Sequence, residues 1–168
     1  QSVSVSKSRK TRNQQIINSN TINETVKPLI TDSLVKPKKT LVLNTTLLGM
    51  NKEDFKRELG RFEDRHIDLI FVVSDCYRKV KNADLVYHVF RRPEFNDLRK
   101  LIIGLNADMS LANLPNTTII NSNMSRADVL KYLKNSKILL LPSHFDSSPN
   151  ILYEALLSGC NVIASKNI

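Results

Sequence analysis

Two carboxylates and a compact group of cations are the residues of this chain best suited to chemistry. Asp146 and Glu154 are separated by the seven residues SSPNILY. Asp146 falls in a polar loop and Glu154 about one turn into the segment that follows. Both can therefore look toward one crevice from different depths, where two acids can hold hydroxyls at two places on an extended polyol. The bare spacing favours a plainer outcome, two solvated surface acids. The cations are Arg78, Lys79 and Lys81, in the turn SDCYRKVKN that follows an apolar run ending near Val73. Arginine can grip a phosphate bidentately and lysine adds a point charge, although such basic turns are usually solvated. Cys76 shares this turn, and a thiol beside Arg78 and Lys81 would be acidified. The sequence positions no base for it, which favours a packing cysteine. His66, His88 and His144 are scattered, and only His144 shares a loop with Asp146. Tyr77 and Tyr87 read as partly buried rings rather than stacking platforms.

Such residues act together only if a scaffold gathers loops from distant parts of the chain. Residues 139–165, LLLPSHFDSSPNILYEALLSGCNVIAS, read as a buried strand, a loop, a helix over 150–157, a Gly-containing turn and a second buried strand. Upstream, the β-branched run 67–73 suits a strand covered on both faces. Residues 83–90 place Leu85, Val86, Val89 and Phe90 on one helical stripe, and Pro93 ends or interrupts that helix. Residues 101–104, 118–120, 138–141 and 162–164 read as short strands. Residues 126–133 read as a helix with Val129, Leu130 and Leu133 inward, capped by Ser125 with Asp128 in its first turn. Residues 40–43 suggest one more strand, and 52–65 an amphipathic helix carrying Phe55, Leu59 and Phe62.

Strand and helix alternate at short intervals, so the expected class is α/β: a Rossmann-like parallel sheet with right-handed crossovers and helices on both faces. Sheets of that kind hold anionic ligands outside the carboxyl ends of their strands. A helix opening at Asn150 would offer a phosphate its unpaired N–H groups. The basic turn after one strand and this helix start after another would meet at a pyrophosphate.

Charge and composition bound the partners. The 168 residues carry a net charge of +9, but residues 1–39 hold +6 of it, leaving an ordinary balance over the rest. Residues 1–38, rich in Ser, Asn and Lys, have no sustained period and read as a flexible basic linker, with the domain over 39–168. The linker is the one place from which nucleic acid or another polyanion would be bound, and a non-enzymatic binding module with such a tail is the alternative function. Two cysteines make no disulfide framework, no apolar run approaches a membrane span, and the opening residues QSVSVSKSRKTRNQQ hold no apolar h-region of the kind a signal peptide has. A soluble cytoplasmic protein is expected.

The segment SKILLLPSHFDSSPNILYEALLSGCNVIAS resembles the donor-binding signature of the GT-B glycosyltransferases of the glycosyl transferases group 1 family, also called family 4. The likeness rests on Pro142, Ser143, Asp146, Glu154, Ala155, Gly159 and residues 162–165. It extends upstream in register: residues 69–74 are similar to the first strand of the family's C-terminal domain. Arg78 and Lys81-Asn82 resemble its Arg…Lys-Gly donor-phosphate element, and residues 100–104 and 116–120 its second and third strands. The resemblance implies metal-independent, retaining transfer from a nucleotide-sugar, with no cofactor. It assigns Arg78 and Lys81 to the diphosphate, the backbone of Ser147, Ser148, Pro149 and Asn150 to cradling it, Asp146 to the sugar and Glu154 to the ribose. The sequence departs from the pattern at Asp146, where the family usually has Glu, and at Ser74, Asp75 and Asn82, where it has glycines. The family also implies an acceptor domain, supplied by another segment or a partner chain, and closing elements beyond residue 165. Alone, the chain is expected to be inactive, because transfer needs an acceptor held against the donor.

Overall fold

The computed structural model of the protein describes Ile30, residues 59–146 and residues 149–166. The anticipated strand at 40–43, most of the linker and residues 51–58 lie outside this set. Five strands form one parallel sheet in the order β3-β2-β1-β4-β5. They are β1 (Ile67–Asp75), β2 (Lys100–Leu105), β3 (Thr117–Ile120), β4 (Ser136–Leu141) and β5 (Asn161–Ala164). Three α-helices connect them: α1 (Ala83–Phe90) after β1, α2 (Arg126–Lys134) after β3 and α3 (Asn150–Leu157) after β4. A 3-10 segment, Met109–Asn113, bridges β2 to β3.

The apolar runs of the strands split by parity, as the period of two in a strand requires. Leu69, Phe71, Ile102, Ile138 and Leu140 face one cluster, where α1 contributes Val86, Val89 and Phe90 and the 3-10 segment contributes Leu111. Ile30, helical and 1% exposed, packs into the same cluster. Ile70, Leu101, Ile103 and Leu139 face the other, with Leu133 of α2 and Ala155 of α3. The sheet is therefore covered on both faces, and the α/β Rossmann-like class read from the sequence is the fold observed. It is the arrangement of the C-terminal half of a GT-B fold.

One element departs from expectation. In place of a helix running to Arg65, the described part of 52–65 holds a single 3-10 turn, Phe62–Asp64. Arg65 leaves that turn in an extended conformation and carries its guanidinium beneath the sheet, where Nη1 donates to Ser136 O at 2.7 Å. Phe62 stays against it, 5.4 Å from ring centroid to Cζ. Gly159, at φ 72°, makes room for this side chain, since a Cβ there would lie 2.6 Å from Arg65 Nη2.

Candidate functional site

The strand order reverses between β1 and β4, whose chain continuations leave toward opposite faces. In an open parallel sheet this is where a crevice opens above the carboxyl ends. Local pairing widens it. The β1–β4 register is last recorded at Ile70↔Leu139, whereas β1 runs on to Asp75 and β4 to Leu141. On the other side of β1 the register with β2 shifts between Val72 and Asp75. There Gly104 is pressed so close that a Cβ would clash with Val73 O. The result is a cleft of about 520 Å³ lined by Val73, Ser74, Arg78, Lys81, Asp146 and Glu154, with Pro149 and Asn150 among its remaining walls.

Two loops build those walls and are tied to each other. At the end of β1, Asp75 accepts from Tyr77 N at 2.9 Å and Asn106 Nδ2 at 3.0 Å, which closes a tight turn. These bonds, Asn106 first, draw the Asp75 carboxyl below its ordinary range. The chain then passes Arg78 and a 3-10 turn, Lys79–Lys81, and reaches Asn82 at φ 54° and ψ 45°. Asparagine tolerates this left-handed conformation better than most residues, so Asn82 keeps the bend that a glycine would supply. Its Nδ2 donates to Pro142 O at 3.2 Å, and His144 N donates to Val80 O at 2.8 Å. The β1–α1 and β4–α3 loops are thereby held as one unit.

Each acid of the site meets a cation. Lys81 Nζ and Asp146 Oδ2 form a close ion pair whose side chains retain 21% and 17% exposure. Glu154 Oε1 lies 2.8 Å from Arg126 Nε, and its side chain is 11% exposed. The solvated-acid expectation fails for both, because the loop and α3 turn them inward. Asp146, Glu154, Arg78, Lys81, Pro149 and Asn150 are brought together as the sequence suggested. Ser147 and Ser148 lie outside the described residues.

Other expectations resolve more plainly. Cys76 is buried beside Tyr87, and burial pushes its thiol up rather than down, which makes it a packing cysteine. Tyr87 is 8% exposed, but Tyr77 is 76% exposed, contrary to the partly buried ring expected of it. His88 and His144 are exposed, and His144 enters the site only through its backbone. Arg126 is the residue that sequence reasoning missed. It was visible only as the first residue of a capped helix, and nothing in local spacing joins it to Glu154.

A second cleft, about 560 Å³, lies beside α1 among Tyr77, Tyr87, His88, Arg91, Asn106 and Asp108. Its Arg91 is already committed to Asp108 and to Ser110 Oγ at 3.3 Å. The two are of similar size, yet only the first holds both signature acids. Among the described residues no group of three His, Cys, Asp or Glu side chains is placed to hold a metal ion. Among them too, no helix is long and apolar enough to cross a membrane.

Fold and cleft define a Rossmann-like domain with an anion-suited crevice at its topological switch point. Residues 51–168 match the family described as Glycosyl transferases group 1, and the chain belongs to that family. Glycosyl transfer is accordingly its general chemistry. No curated protein matches the chain.

Proposed function

We propose that this chain is the donor-binding portion of a retaining glycosyltransferase, the C-terminal half of a family 4 GT-B enzyme. It would take a sugar from a nucleotide-sugar and deliver it to an acceptor held by another domain or chain. The observation that carries the reading is the convergence of Arg78, Lys81, Asp146 and Glu154 on one cleft at the switch point.

The roles follow from charge and position. As the bond from the sugar to its diphosphate breaks, negative charge accumulates on the departing oxygens. Cations and N–H donors already in place stabilise it without reorganisation. Arg78 and Lys81 supply the cations, and the first turn of α3, opening at Asn150, supplies N–H groups and the positive end of its dipole. These groups do the work that a divalent cation would otherwise do. The incoming diphosphate takes Lys81 over from Asp146, which then turns to the sugar hydroxyls, while Glu154 holds the ribose.

Calorimetric titration at moderate salt with UDP, GDP, ADP and their common sugar conjugates tests this. The expected result is saturable micromolar-to-millimolar binding of one nucleotide, lost in Glu154→Ala and in Arg78→Ala. A well-folded chain that binds none of them would contradict it. Polyanion binding that falls steeply with salt and disappears on removal of residues 1–39 would move the function to the basic-tailed module.

A further inference from the structure

We infer that Arg126 is a positioning residue that sets the site's preference for ribose over deoxyribose. It does so by holding the Glu154 carboxylate from outside the cleft. The inference rests on the donor-binding reading above and assigns a specificity role to a residue outside the cleft lining.

Glu154 lines the cleft and Arg126 does not. The guanidinium reaches the carboxylate from the neighbouring helix, with Nε 2.8 Å from Oε1. Glu154 as a whole is 8% exposed, so its charge needs a partner to be tolerated at that depth. Arg126 is 59% exposed in its side chain and pays little for its own charge. Its anchor point is firm. Ser125 caps α2 by accepting from Asp128 N at 3.2 Å, and Asp128 is paired in turn with Lys131 at 2.9 Å. Residues of α2 and α3 also pack into one apolar cluster through Val129, Leu130, Ile151 and Ala155.

A carboxylate discriminates a hydroxyl from a hydrogen only when it cannot swing away to find another partner. The cost of the missing hydroxyl comes from the polar group left unpaired. Arg126 removes that freedom by engaging one oxygen and fixing the carboxylate's orientation. The diphosphate subsite, built by Arg78, Lys81 and the start of α3, is served by other elements.

The test is calorimetry on the full 168-residue chain and on Arg126→Ala and Arg126→Lys. The titrants are UDP, GDP and ADP, their 2′-deoxy counterparts and inorganic pyrophosphate, and a thermal melt of each variant verifies folding. In the parent chain the ribonucleotide is expected to bind about tenfold tighter than its 2′-deoxy form, the size of one charged hydrogen bond. In Arg126→Ala that ratio falls to within roughly twofold while pyrophosphate binding holds, and Arg126→Lys recovers part of it. A ratio unchanged in Arg126→Ala would overturn the inference and leave the donor-binding reading standing. Equal weakening of ribonucleotide, deoxynucleotide and pyrophosphate would overturn it too, showing a general charge effect. Parent-chain binding without any ribose preference would have the same consequence. Failure of every nucleotide to bind the folded parent chain would overturn both.

Discussion

The two ends of the sheet both bury carboxylates beside cations, and they do so to different effect. At the amino end Asp68 of β1 is saturated. Its Oδ2 accepts from Arg99 N at 2.9 Å and Arg99 Nε at 3.0 Å, and its Oδ1 meets Arg99 Nη2 and Lys137 Nζ, each at 3.0 Å. Nearby, Lys100 is buried and donates to Phe95 O at 2.7 Å. At the carboxyl end, Asp146 and Glu154 line an open cleft, the first paired with Lys81 inside it and the second with Arg126 from outside it. The same chemistry serves the fold where one acid is locked by several donors at the starts of adjoining strands. In the proposed reading it serves a ligand where acid and cation come from separate elements and, at Lys81, an anion can replace the acid.

Substitutions can break that contrast. The largest effect is expected from Asp68→Ala, which strands Arg99 and Lys137. Urea denaturation should show a loss of about 3 kcal/mol, the lower end for a broken buried pair because Arg99 stays half exposed. Nucleotide binding by the surviving folded fraction should be unchanged. If binding fell as much as stability, the two ends would not be separable.

Gly104→Ala sharpens the contrast by touching both roles. The added Cβ presses on Val73 O and, at 2.9 Å, on Val73 Cγ1, a residue that lines the cleft. A stability loss of about 2 kcal/mol is expected, together with weaker nucleotide binding. Lys81→Met should do the reverse of Asp68→Ala. Calorimetry should show roughly tenfold weaker diphosphate binding, while stability changes by less than about 1 kcal/mol.

Acid and alkali give the smallest, most graded effects. Burial pushes the Asp68 carboxyl up, but the bonds from Arg99 and Lys137 outweigh it and leave it below its ordinary value. Its stabilising contribution is therefore complete above about pH 4 and lost as pH falls below that. Asp68→Asn should flatten this acid limb in pH-dependent denaturation. Burial pushes the Cys160 thiol up to about 12 against the opposing pull of Arg65. Its contribution is present below about pH 8.5 and fades as pH rises toward 12. In the native protein at neutral pH neither Cys76 nor Cys160 should react with a thiol reagent, and denaturant should expose both.

The sequence showed α1 and α3 with the bounds the structure gives them, and the strands to within a residue or two. Their apolar runs are dense, and Asn82, Ser125 and Gly159 punctuate them locally. The family signature drew Asp146, Glu154, Arg78 and Lys81 into one site from segments some seventy residues apart. What stayed hidden depends on tertiary geometry. Arg65 looked like the charged end of an amphipathic helix because its role beneath β4 is set by Ser136 and Gly159, far along the chain. Arg126 looked like an exposed first-turn residue because its partner is on another helix. The acids looked solvated because burial of a polar side chain follows from what packs around it, not from spacing.

The division of labour between the two ends is tested most directly by amide NMR of the labelled chain titrated separately with UDP, GDP and ADP. Saturable shifts confined to Arg78, Lys81, Asn150, Glu154 and their neighbours, with Asp68, Arg99 and Lys137 unmoved, are the result predicted. Shifts centred on the amino end or on residues 1–39, or none with any of the three, would contradict it.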